Sequence, residues 1–224
     1  MLHYALPCLL CIAGLAVAQA PNCDSYLICQ SNLNDALNLT NPQPWFSPEE
    51  FRHKVEQYYQ NQGAFGLRTV CKAFRQFKGC MGAEYSSCMS AGHFVTASVP
   101  IFETYQFISI FNQMHYVCGG GFQIYMDNDD CMSKAWGGET GNQLNACRYK
   151  FEKNSDASSE DAQTVKYLAS TYLSCFEEQF KETCGVNSRD SQFWGCEYAR
   201  VNVFTRFPQT DVGCVLPYAG GIIG

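Results

Sequence analysis

Residues 71–88 read CKAFRQFKGCMGAEYSSC, and residues 175–184 read CFEEQFKETC. Each run holds two cysteines with eight residues between them and the string QFK inside. Around the first run, Leu67, Val70, Cys71, Phe74 and Phe77 recur at helical spacing while Lys72, Arg75 and Lys78 fall outside that stripe. On one continuous α-helix, residues nine apart lie about 13 Å from each other on opposite faces. A disulfide needs Cα atoms roughly 4.4–6.8 Å apart. Cys71 and Cys80, like Cys175 and Cys184, must therefore bond to partners elsewhere, and both runs read as helices stapled to other helices.

The N-terminal residues MLHYALPCLLCIAGLAVAQA form an apolar run ending in small residues, and no Asp, Glu, Lys or Arg precedes Asp24. This pattern predicts a secretory signal peptide over 1–18. Cleavage after Ala18 fits Ala16-Val17-Ala18, whereas the alternative after Ala20 would leave Pro21 next to the cut. The run is short for a bilayer span of roughly 20 residues, so no membrane span is expected. Its removal discards Cys8 and Cys11 and leaves Cys23, Cys29, Cys71, Cys80, Cys88, Cys118, Cys131, Cys147, Cys175, Cys184, Cys196 and Cys214. An even set in a secreted chain predicts a disulfide framework of six bridges. Their connectivity is one of about ten thousand pairings and is left open by spacing.

The mature chain, 19–224, exceeds by far the size of roughly 80 residues below which staples must replace a core. The bridges are thus expected to brace a core that already exists. A net charge of −6 with only 16% charged residues argues against a nucleic-acid partner or an anionic membrane surface. Asn38-Leu39-Thr40 is the single glycosylation sequon, set in a polar, turn-rich stretch, and Asn38 is the expected glycan site.

Helix signals run along most of the remainder. Ser47-Pro48-Glu49-Glu50 offers an N-cap, a proline at the first helical position and a capping-box glutamate, with Gly63 as the stop. A second helix is predicted over 65–78, ended by Gly79, with Cys80 beyond it and Cys88 on a short helix starting near Ala83. The most apolar segment, VPIFETYQFISIFNQMHYVC at 99–118, is apolar on two faces and predicts a central helix stopped by Gly119-Gly120-Gly121. Further helices are predicted over 140–153, 160–183 and 190–206. The polar string NSDASSED at 154–161 marks the one internal boundary, near 154–159, and its serines are read as caps for the following helix. The fold class is all-α: a disulfide-braced multi-helix domain.

The chemistry-bearing residues are sparse. His53, His93 and His115 stand in no HExxH or other metal-ligand spacing, and no GxSxG elbow occurs, so packing is the expected role of each. An even set of oxidised cysteines offers no thiolate for a Cys–His nucleophile. Asp127-Asn128-Asp129-Asp130 resembles the start of a calcium loop, but Met132 and Gly138 occupy the places where an EF-hand needs glycine and glutamate. A turn or helix cap is the expected role. No cofactor or metal is expected. Aromatics make up 14% of the chain, including thirteen tyrosines, and those reaching the surface would favour recognition.

The segments LRTVCKAFRQFKGC at 67–80 and YLSCFEEQFKETC at 172–184, behind an apolar leader, resemble the cysteine-rich secreted helical domains of unknown function found in invertebrates. The resemblance implies extracellular location, helices and disulfides. The functional expectation is a secreted, non-catalytic binding protein for an extracellular protein or a small apolar ligand. A structural component of an extracellular matrix is the alternative, though acidic or low-complexity repeats are absent. A secreted enzyme is the third reading and would require a cleft with convergent polar groups.

Overall fold

The computed structural model describes residues 23–215; the leader at 1–18, with Cys8 and Cys11, lies outside them. The chain is all-α, with no strand among the described residues. Its helices are α1 (Tyr26–Leu37), α2 (Pro48–Met81), α3 (Tyr85–Cys88), α4 (Ala91–Thr96), α5 (Ile101–Val117), α6 (Phe122–Asp127), α7 (Asp129–Ala135), α8 (Gly138–Ala157), α9 (Ala162–Cys184) and α10 (Arg189–Arg206). None is long and apolar enough to cross a membrane. As its two apolar faces predict, α5 is central: it packs on α2, α4 and α10, and Phe107, Ile110, Phe111, Met114 and Val117 are all buried. Each such side chain contributes about 1.5–3 kcal/mol on leaving water. α10 lies between α5 and α9, α8 pairs with α9, and α1 lies along α2.

Six disulfides join these elements: Cys23–Cys88, Cys29–Cys80, Cys71–Cys118, Cys131–Cys184, Cys147–Cys175 and Cys196–Cys214. No bridge closes within either cysteine run, as helical geometry requires. Cys71 holds α2 to the end of α5, and Cys80 holds α2 to α1. Cys175 ties α9 to α8, and Cys184 ties it to α7.

Gly63 interrupts the helix as expected: at φ 50°, ψ −129° its backbone leaves the helical region, so α2 is two helical segments joined across a kink, and the second carries the buried stripe of Leu67, Val70 and Phe74. Other boundaries differ from the sequence reading. Gly79 is helical; α2 runs to Met81 and ends at Gly82, where φ is +53°, so Cys80 lies within the helix. Ser47 and Pro48 do open α2, but the Ser47 side chain makes no capping bond. Residues 122–136, for which no helix is predicted, form α6 and α7, with Asp129 and Asp130 in the first turn of α7, where carboxylates favour the helix dipole. The first half of the 154–161 string is helix: α8 continues to Ala157, and Asp161, not a serine, caps α9 by accepting from the Gln163 and Thr164 amides.

Candidate functional site

Polar residues recur at one spacing on three helices: Glu49, Arg52 and Glu56 on α2; Gln106, Ser109 and Gln113 on α5; Asn145, Arg148 and Glu152 on α8. Offsets of three and seven keep each trio on one face, and packing turns the three faces toward each other. Arg52, fully buried, donates to Glu152 at 3.2 Å, Gln113 at 3.3 Å and Ser109 at 3.3 Å. Glu152 also accepts from Gln106 at 2.7 Å and from Asn202 at 2.9 Å. Arg148 forks onto both oxygens of Glu56, at 2.5 and 3.2 Å, and bonds Asn145, while the Tyr198 hydroxyl donates to Glu56 at 3.3 Å. Burial works against both arginine charges, but the facing carboxylates outweigh it: Glu152 and Glu49 at Arg52, Glu56 at Arg148. Both pKa values therefore lie above the ordinary one. The network joins α2, α5, α8 and α10 through buried hydrogen bonds.

On other faces of the same two helices, α5 and α10 leave a solvent-open groove of about 500 Å³. Tyr116, Val201 and Phe204 give it apolar walls, and Asn112, His115 and Arg200 bring hydrogen-bond donors. Its walls are fixed from several directions. Gln113 donates to the Tyr198 carbonyl at 3.0 Å, and Asn112 donates across the groove to the Thr205 hydroxyl at 2.9 Å. Cys118, just past α5, is bonded to α2, and Cys196 pins α10 to the chain beyond it.

His115 lies 3.3 Å, through Nδ1, from the Lys78 Nζ. Partial burial and the adjacent Lys78 charge hold its pKa below the ordinary histidine value, so the ring is neutral at pH 7. An ammonium can only donate, so Nδ1 accepts and Nε2 carries the proton. Lys78 is itself set over the rings of Phe74 and Tyr85, at 5.6 and 5.1 Å from their centroids. Arg200 is aligned by two bonds to Glu197, at 2.7 and 2.5 Å, and lies over the Phe204 ring.

The three histidines of the sequence reading are not brought together. His93 packs its ring on Tyr26 and Phe94, His53 lines a different groove near α1, and only His115 borders the α5–α10 groove. Among the described residues no cluster of His, Cys, Asp or Glu is arranged to hold a metal ion. Among the described residues most tyrosines are interior. Tyr149 and Tyr167 are well exposed, at 65% and 70%, whereas Tyr26, Tyr59, Tyr125, Tyr172 and Tyr198 are buried. The sequence reading missed the polar network, although its repeated spacing was present in the chain. The signal is easily taken for helix surface, because Gln, Ser, Glu and Arg usually face water. No protein-family description, curated protein or solved structure matches this chain.

Proposed function

We propose that the protein is secreted and acts as a non-catalytic binding protein whose α5–α10 groove takes a small, largely apolar ligand carrying an acceptor group. The observation that carries this reading is the composition of the groove: Tyr116, Val201 and Phe204 beside the donors His115, Asn112 and Arg200, in about 500 Å³. Binding sites of this scale are typically apolar with a few placed polar groups. The disulfides support the reading in two ways. They are typical of extracellular chains, and two of them hold the groove walls, which lowers the ordering cost of binding. The same location is what the resemblance to cysteine-rich secreted helical domains implies.

The test uses full-length chain expressed in a secreting eukaryotic cell and titrated with 8-anilinonaphthalene-1-sulfonate, an apolar anion. One saturable site is expected, and Phe204→Asp should remove it while far-UV circular dichroism and melting temperature stay close to wild type. Retention of the chain inside the cell would defeat the extracellular reading. Unsaturable binding, or binding indifferent to Phe204→Asp, would defeat the assignment of the groove.

A further inference from the structure

A second groove, of about 540 Å³, runs between the chain after α1 and the first turns of α2. At about 100° per residue, Glu49, Arg52 and Glu56 face the buried network, which leaves Glu50, His53, Lys54 and Gln57 to line this groove. Leu39 supplies its partly exposed apolar side, backed by the buried Pro44 and Phe51. Asn38 stands in its wall. This residue closes α1 in the left-handed conformation, φ 50°, ψ 46°, which asparagine tolerates better than most residues, and its backbone amide is spent on the carbonyls of Asn34 and Asp35. The side chain is exposed and directed at α2: Nδ2 donates to the Tyr58 hydroxyl at 3.3 Å. Beneath it a buried ladder fixes the following loop, from Tyr26 to Gln30 to Asn34, whose amide bonds the carbonyls of Asn41 and Pro42. The wall is therefore preformed, and Thr40, needed for recognition of the sequon, is exposed.

We infer that this groove is the seat of the first sugars of a glycan on Asn38. The inference rests on the reading of the chain as secreted. An N-acetylglucosamine ring has an apolar face and a hydroxyl and acetamide rim, which match the partly exposed Leu39, backed by the buried Pro44 and Phe51, on one side and Glu50, His53, Lys54 and Gln57 on the other. Attachment uses an oligosaccharide donor linked to a lipid pyrophosphate. Asn38 Nδ2 forms a bond to the anomeric carbon and gives up one of its two protons to water. The bond from that carbon to the pyrophosphate oxygen breaks, and the lipid pyrophosphate leaves with the electron pair. The remaining Nδ2 proton can still serve the Tyr58 hydroxyl, so the sugar starts from an oriented amide.

The experiment compares three forms of the full secreted chain from eukaryotic cells: intact, trimmed to a single N-acetylglucosamine by an endoglycosidase, and the unglycosylated Thr40→Ala variant, which keeps Asn38. Intact mass should show a glycan on the first, one sugar on the second and none on the third. Hydrogen exchange over 39–57 should be equally slow in the first two and about threefold or more faster in the third, with 162–184 unchanged in all. A chain that fails to reach the medium overturns the secreted reading. A secreted chain with bare Asn38 overturns the modification site. A glycan whose removal leaves exchange over 39–57 unaltered shows a groove left open and overturns the seat.

Discussion

Arg52 and Glu152, a hundred residues apart in the chain, meet at 3.2 Å with both side chains withdrawn from water. The pair joins α2 to α8 through the same carboxylate that Gln106 of α5 and Asn202 of α10 also bond, so one acidic group coordinates four helices. Such a centre contributes less to net stability than to the uniqueness of the packing, since desolvation offsets much of the Coulombic gain.

Arg148 is the partner whose loss is best read. Arg148→Met leaves Glu56 buried with only the Tyr198 hydroxyl, and should cost about 3–5 kcal/mol. Arg148→Met combined with Glu56→Met removes both charges and should recover most of that loss. Urea unfolding of the two variants and the wild type measures the cycle. Equal destabilisation by the single and double changes would refute the charge-pairing account.

Two glycines of α2 should respond with opposite signs. Gly63 has φ +50°, and an added Cβ would come within 2.5 Å of an Asp129 carboxylate oxygen, so Gly63→Ala should destabilise by about 1–3 kcal/mol. Gly79 is helical with open space beside it, and Gly79→Ala should stabilise by about 0.5–1 kcal/mol. Thermal melts of both variants decide the matter; a gain at Gly63 would mean the kink is dispensable.

Alkaline pH should unfold the protein cooperatively. Burial pushes the hydroxyls of Tyr26, Tyr59, Tyr172 and Tyr198 above the ordinary tyrosine value. Above pH of about 10 the unfolded chain releases protons that the folded chain keeps, so the unfolded state binds fewer protons and stability falls as pH rises. Each such group removes about 1.4 kcal/mol per pH unit in that range. Tyrosinate absorbance followed together with far-UV circular dichroism should show a late, joint transition. Full ionisation of the tyrosines with helix content intact would contradict it.

The His115 ring reports on Lys78. Partial burial first, and the Lys78 charge second, depress its pKa, so Lys78→Gln should raise the titration midpoint toward the ordinary histidine value. Imidazole resonances followed by NMR across the acid range give the midpoint directly. A downward or absent shift would remove Lys78 from the electrostatics of the groove.

The bridge at the end of α5 should matter for both stability and binding. Cys71→Ser with Cys118→Ser opens a loop closed over a separation of 47 residues, for which chain entropy predicts a loss of about 4 kcal/mol. Denaturant unfolding measures that loss, and a weaker affinity for the anilinonaphthalene anion at a temperature where the variant stays folded would show the groove wall loosening.

Taken alone, the sequence determined the helical class, the central place of the segment at 99–118 and the rule that neither cysteine run closes on itself. These follow from local periodicity and the fixed rise of a helix, which need no knowledge of neighbours. Only the tertiary structure decided which cysteines pair, that Gly79 lies inside the helix, and that Gln106, Ser109 and Gln113 face inward to meet Arg52 and Glu152. A glycine stops a helix only where its backbone leaves the helical region, as at Gly63; at Gly79 the buried stripe through Phe77 and Met81 carries the helix onward. A polar side chain is buried only when partners from distant segments satisfy it, and those partners are fixed by packing between helices, not by spacing within one.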